Sequence, residues 1–151
     1  MDLSLKYGEN YIILGALRQY VEQSAMLASV NFWRDSLQNY QELRVVDKRT
    51  QILNDHSGLS TSEFLAAFIS EDFPRIEEPL SDNILTLAFK LIDEKEGERI
   101  TNETKAFLMH YAACIVKASK EDYLSFIGLS DSISDEEESF LTNFKLLLQL
   151  D

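Results

Sequence analysis

Residues 106–118 read AFLMHYAACIVKA, and this stretch is the strongest indication of the fold class. Eleven of its thirteen residues are apolar or aromatic, and His110 and Lys117 are the exceptions. As a helix the run would be about 20 Å long, which is too short to cross a bilayer. A helix that is apolar on all sides has to be surrounded by other helices. We therefore predict a central, buried helix near residues 102–118.

Helical periodicity continues on both sides of this stretch. In residues 9–30 apolar side chains recur at three- and four-residue steps, and we expect Arg18, Glu22 and Gln23 to face away from them. Gly and Pro are scarce, with five and two copies, and no segment is typical of a strand. We predict an all-α bundle of six or seven helices. Their expected positions are residues 9–30, 31–53, 60–73, 81–97, 101–118, 123–127 and 134 onwards.

The length of 151 residues fits one domain, so we assign residues 1–151 to a single helical domain. Only residues 74–80, which contain both prolines, read as a linker. We interpret them as a crossing loop within the domain.

The composition is strongly acidic, with 26 acidic and 14 basic residues and a net charge of −12. Phosphate backbones and anionic membranes repel such a surface, so we expect binding to neither nucleic acid nor membrane. A basic partner protein would be attracted and steered. The alternative interpretation of the acidic excess is solubility alone.

Cysteine usage and the N-terminus favour a cytoplasmic protein. Cys114 is the single cysteine, so no intramolecular disulfide can form, and the first residues, MDLSLK, lack the pattern of a signal peptide. The five glycines form no phosphate-binding cluster. Together with Cys114, the two histidines His56 and His110 are too few for the usual zinc and di-iron sites. We expect no cofactor and no metal.

Two groups of residues are candidates for contact with a partner. Acidic residues cluster at the predicted C-terminus of the helix over 81–97, where the helix dipole disfavours negative charge. Aromatic residues with neighbouring arginines lie in the electrically balanced first third of the chain, and Trp and Tyr are frequent in interface hot spots. Core packing is the alternative role for the aromatic group. The candidate residues are Asp93, Glu94, Glu96, Glu98, Trp33 and Tyr40.

A third group suggests an alternative function. His110 and Cys114 are four residues apart on one helical face, and an imidazole beside a thiol can activate the thiol as a nucleophile. Glu103, two turns earlier, could orient His110. A buried histidine next to a cysteine that fills apolar space explains the same residues.

These patterns favour a non-enzymatic module that binds or neutralises a more basic protein. Toxin-neutralising immunity proteins and chaperone-type regulators share this profile, a comparison that rests on composition alone. The alternative is an enzyme or a small-ligand-binding protein with an interhelical pocket near His110 and Cys114. A homo-oligomer is compatible with both.

Overall fold

The computed structural model describes residues 1–29, 48–56, 61–127 and 135–149, and every regular element in these ranges is helical. This confirms the predicted all-α bundle. The single-domain assignment stays a prediction. The helices are α1 (Leu3–Tyr7), α2 (Tyr11–Ser29), α3 (residues 48–56), α4 (Glu63–Ser70), α5 (Asn83–Glu96), α6 (Glu98–Ile127) and α7 (Asp135–Leu147), and a 3-10 turn at Gly8–Asn10 joins the first two.

Helices α2 and α6 form the centre of the bundle. They contact each other extensively, α5 and α7 pack against both, and α6 also contacts α4. Buried apolar side chains from all of these helices, and from α1 and α3, join into one cluster that includes Phe64, Phe107 and Phe144. The prediction of a central apolar helix near residues 102–118 is therefore confirmed.

Helix α6 is longer than predicted. It begins at Glu98, immediately after Gly97, and continues to Ile127. The predicted start at Thr101 and the predicted turn near residues 119–121 are wrong. No glycine or proline interrupts residues 98–127, so nothing in the backbone chemistry forces a break there.

The composition of the apolar stretch of α6 predicted burial on all sides, but the structure buries only part of it. Phe107, Leu108 and Tyr111 are buried, whereas Ala106 is exposed and Cys114 is partly exposed. One face of the central helix is therefore accessible from outside the core.

The chain between α4 and α5 has no helix at residues 71–80. That residues 74–80 are a crossing loop within one domain stays a prediction. Helix α5 ends at Glu96, and the φ of 96° at the following Gly97 is a left-handed backbone conformation that glycine adopts without strain. The next residue begins α6, so the two helices meet at a sharp corner. None of the helices in the described ranges combines the length and the apolar character needed to cross a membrane.

Candidate functional site

The acidic candidates lie at the corner between α5 and α6. Asp93, Glu94 and Glu98 are exposed there, and neither Glu94 nor Glu98 forms an ion pair with any described residue. Asp93 accepts a hydrogen bond from the hydroxyl of Thr101 at 3.4 Å. The corner therefore presents carboxylates that the described part of the fold leaves available to a partner.

A groove runs alongside this corner, between α5, the beginning of α6 and the end of α7. Its cavity volume is about 390 Å³, and its lining includes Asp93 and Glu98 together with the apolar side chains of Phe89 and Leu147. Lys105 also lines the groove, and its ammonium lies 5.2 Å from the centroid of the Phe89 ring. The groove thus combines apolar surface with charges of both signs.

Glu96 is the acidic candidate that the fold engages most fully. One of its carboxylate oxygens accepts a hydrogen bond from the hydroxyl of Tyr7 at 2.8 Å and lies 2.7 Å from the ammonium nitrogen of Lys6. Its side chain is only 6% exposed. Glu96 therefore attaches α1 to the end of α5, and a partner would meet its three neighbours first.

The structure brings His110 and Cys114 together as predicted and adds a second histidine. The Cys114 sulfur lies 3.5 Å from Nε2 of His110. The ring of His56, at the end of α3, stacks on the ring of His110 with centroids 4.8 Å apart and an interplanar angle of 26°. The sequence separates the two histidines by more than fifty residues, and no local pattern connects them.

The surroundings of this histidine pair act on the pKa of His56 in both directions. Burial, and secondly the charge of a protonated His110, lower the pKa of His56, because both disfavour its cationic form. Glu103 acts in the opposite direction on His56, but its carboxylate is held elsewhere. It accepts hydrogen bonds from the backbone amide of Ser62 at 3.2 Å and from the Ser62 hydroxyl at 2.7 Å.

Glu103 thus fastens the N-terminus of α4 to α6 instead of orienting His110. The remaining Cys–His contact could pass a proton from thiol to imidazole, which is the first step in making a thiolate.

No three potential metal ligands converge anywhere in the described ranges. Trp33 and Tyr40, the aromatic candidates, lie outside those ranges.

The residues that sequence reasoning missed are buried charges. Arg18 and Glu22, expected to face away from the apolar side of α2, are 4% and 6% exposed. Glu22 forms a bidentate pair with Arg49 of α3, with nitrogen–oxygen distances of 2.6 and 2.8 Å. It also accepts a hydrogen bond from the hydroxyl of Tyr111 on α6. This network joins α2, α3 and α6 inside the bundle.

Arg18 has a different set of partners. Its Nη1 donates hydrogen bonds to the backbone carbonyls of Phe68, Ile69 and Glu71 at 2.8 to 3.1 Å. These carbonyls belong to the C-terminal turn of α4 and the residue after it, so a positive charge is favourable at this end of the helix dipole. The only sequence signal was the four-residue spacing of Arg18 and Glu22, which an exposed ion pair explains equally well.

Comparisons of the chain with models of protein families, with curated proteins and with solved structures find no match.

Proposed function

We propose that the protein is a non-enzymatic interaction module that binds a more basic protein and thereby neutralises or regulates it. The observation that carries the proposal is the separation of charge between interior and surface. In the described part of the chain the bundle draws Arg18 and Arg49 inwards, with Glu22 as the partner of Arg49, whereas most of the other carboxylates there remain exposed.

The two sets of exposed charges in the described part of the chain show this imbalance. The exposed acidic residues are Asp2, Glu9, Asp55, Glu63, Asp72, Glu77, Glu78, Asp82, Asp93, Glu94, Glu98 and Glu138. The exposed basic residues are Lys6, Arg75, Lys90, Lys95, Arg99 and Lys145. A surface of this kind attracts a basic partner over several ångströms and accelerates its association at low ionic strength.

The α5–α6 corner is the part of this surface that we assign to the contact. Asp93, Glu94 and Glu98 are close in sequence around the junction of the two helices, so the fold presents their carboxylates together at one corner. The adjacent groove supplies apolar surface at Phe89 and Leu147, and a protein interface needs such surface besides charge. Lys95 and Arg99 flank the corner and would help to exclude partners whose charges are not aligned with it.

The test begins with capture from the native cell extract on the immobilised protein at low salt. A basic protein that is released by added salt is then purified, and its association is measured with two triple variants. The first is Asp93→Asn with Glu94→Gln and Glu98→Gln. The control is Asp82→Asn with Glu77→Gln and Glu78→Gln, which removes the same charge from exposed positions near the start of α5.

We expect the corner variant to weaken binding about tenfold or more, because each charge pair in an interface contributes on the order of 1 kcal/mol or more. The control should change only the association rate, and by a smaller factor. Equal binding by the wild type and the corner variant would contradict the proposal. An equal loss in both variants would show that the net charge, and not this corner, attracts the partner.

The alternative function, an enzyme or small-ligand-binding protein, is favoured by one observation, the 3.5 Å contact between Cys114 and His110. It predicts that a small electrophile labels Cys114 in the folded protein and that His110→Asn slows the labelling. Labelling that requires denaturation would count against this alternative.

A further inference from the structure

A small cleft lies where the loop between α4 and α5 passes over α2. Its volume is about 180 Å³, and its lining includes Arg18, Gln19, Arg49, Asp72 and Arg75. Three arginines thus line one cleft together with two carboxylates, Asp72 and Glu22, and Glu22 is already bound by Arg49. The ligand sites of drug-sized molecules measure about 300–1,000 Å³, so this volume suits a single charged group.

The loop is fixed firmly on the helix at this cleft. The ring of Phe73 lies directly over Gly15, where an added Cβ would come within 2.6 Å of the Phe73 Cβ. Gln19 holds the loop further along by hydrogen bonds with both the amide and the carbonyl of Ile76, at 2.9 and 2.7 Å. The guanidinium carbon of Arg18 lies 4.9 Å from the centroid of the Phe73 ring. The walls of the cleft are therefore preorganised.

Arg18 is the residue that points to a ligand. It is 4% exposed, and all its hydrogen bonds to described residues use Nη1, which donates to the three carbonyls around the end of α4. An arginine has five N–H donors, so the three on Nη2 and Nε remain without a partner in the described part of the protein. Buried donors that bear a charge are costly to leave unpaired.

No carboxylate in the described part of the chain forms an ion pair with Arg18. Glu22, one helical turn away, is already bound by Arg49 and Tyr111. Burial, followed by repulsion from Arg49, lowers the pKa of Arg18, which is the signature of a buried cation without an ion pair. Asp72 acts on Arg18 at longer range and is exposed.

We propose that this cleft binds a small oxyanion, a phosphate or carboxylate group, on the free donors of Arg18. Arg75, which lines the cleft and is 48% exposed, closes on the bound group from the rim. Planar guanidinium groups suit both kinds of oxyanion because they donate two parallel hydrogen bonds. Asp72 opposes the ligand. This site is independent of the α5–α6 corner and of the partner proposed for it.

The test is a calorimetric titration with inorganic phosphate, and separately with acetate, in chloride buffers of equal ionic strength. The variants are Arg75→Gln and Asp72→Asn, and the matched controls are Arg99→Gln and Asp82→Asn, exposed positions outside the cleft. All four substitutions are at exposed positions, so they should leave the fold intact. The titration is also followed at the side-chain Nε–Hε resonances of the arginines.

We expect Arg75→Gln to weaken binding about tenfold, as the loss of one charge-assisted hydrogen bond of about 1.4 kcal/mol implies. Asp72→Asn should tighten binding by roughly threefold, because it removes a repulsive charge at the rim. The two controls should bind as the wild type does. The Arg18 resonance should shift with the ligand, and the stronger of the two anions identifies the group.

Three outcomes would overturn the proposal. The first is that neither anion produces heat or shifts beyond those of chloride. The second is binding that is unchanged in both Arg75→Gln and Asp72→Asn, which would place the anion elsewhere. The third is an Arg18 resonance that does not respond while binding occurs.

Discussion

Glu22 and Glu96 are both nearly buried carboxylates that accept a tyrosine hydrogen bond and contact a basic side chain, but the bases differ. The Glu22 side chain is 8% exposed and its partner Arg49 is 15% exposed. The Glu96 side chain is 6% exposed, whereas its partner Lys6 is 38% exposed. The first pair is thus enclosed on both sides, and the second is open to water at the lysine.

The two contacts also join different parts of the molecule. The network of Glu22 connects α2 and α6, the central helices, with α3, and its tyrosine, Tyr111, is fully buried. The contact of Glu96 attaches only the short helix α1, through Tyr7, to the end of α5. Similar chemistry therefore holds the middle of the bundle in one place and a peripheral helix in the other.

The two ion pairs should contribute unequally to the free energy of unfolding. Arginine donates two parallel hydrogen bonds in fixed geometry, whereas the lysine ammonium is a flexible, strongly hydrated charge. A buried pair is costly to break because the surviving charge stays uncompensated. An exposed base can return to water and loses little.

The largest expected effect is that of Glu22→Gln. This change leaves Arg49 buried without its counter-charge, and we expect the free energy of unfolding to fall by about 3–5 kcal/mol. The measurement is urea-induced unfolding followed by far-ultraviolet circular dichroism. A loss below about 1 kcal/mol would show that water reaches the pair and that the two regions are alike.

A double variant keeps this prediction testable if Glu22→Gln does not fold. Replacing both partners, as Glu22→Leu with Arg49→Met, removes the charge together with its counter-charge. Apolar replacement of both partners of a buried pair is often close to neutral. We therefore expect the double variant to be more stable than Glu22→Gln.

The two tyrosines should have an effect of intermediate size on the free energy of unfolding, and it should appear at high pH. Burial and the neighbouring carboxylates raise the pKa of Tyr111 and of Tyr7 well above the ordinary value of 10.0. Above pH 10 the unfolded chain loses these protons while the folded protein keeps them, so the folded state binds more protons. The free energy of unfolding must then decrease with rising pH, by about 1.4 kcal/mol per pH unit for each tyrosine.

The measurement is urea unfolding at several pH values between about 9 and 11 for the wild type, Tyr7→Phe and Tyr111→Phe. Each substitution should reduce the slope by the share of one tyrosine, whatever it does to stability at neutral pH. A slope that Tyr7→Phe leaves unchanged would mean that Tyr7 ionises as it does in the unfolded chain. The peripheral contact would then be open at both of its partners.

The sequence predicted the helical class and the central apolar helix, because these follow from the spacing of apolar residues. It placed Arg18 and Glu22 on the outside because helical spacing reports only which side of α2 is most apolar. The partners that allow them to be buried, such as Arg49 and the carbonyls at the end of α4, are distant in sequence. No pattern within a single helix can reveal them.

The candidate sites likewise contain features that the sequence predicted and features that only tertiary packing reveals. The contact between His110 and Cys114 was predicted from their four-residue spacing, since both lie on one helix. The stacking of His56 on His110 and the engagement of Glu96 by α1 depend on tertiary packing. The acidic cluster itself is visible in the sequence, but its division into free and engaged carboxylates is not.

The smallest expected effect is that of Lys6→Gln, which tests the open side of the comparison. Lys95→Gln is a matched control, because Lys6 and Lys95 are both exposed and both lie in the last turn of their helices. The two variants therefore lose the same favourable interaction with a helix dipole. Only Lys6→Gln also loses the ion pair with Glu96, so the difference between the two variants measures that pair. We expect about 0.5 kcal/mol at low salt, measured by urea unfolding, and close to nothing at about 1 M salt, where the Debye length is only about 3 Å.

If the difference instead exceeds about 2 kcal/mol and does not depend on salt, the ammonium of Lys6 is bound as firmly by Glu96 as the guanidinium of Arg49 is by Glu22. The contrast between the two glutamates would then rest on the number of helices that each one joins, and no longer on the exposure of its base.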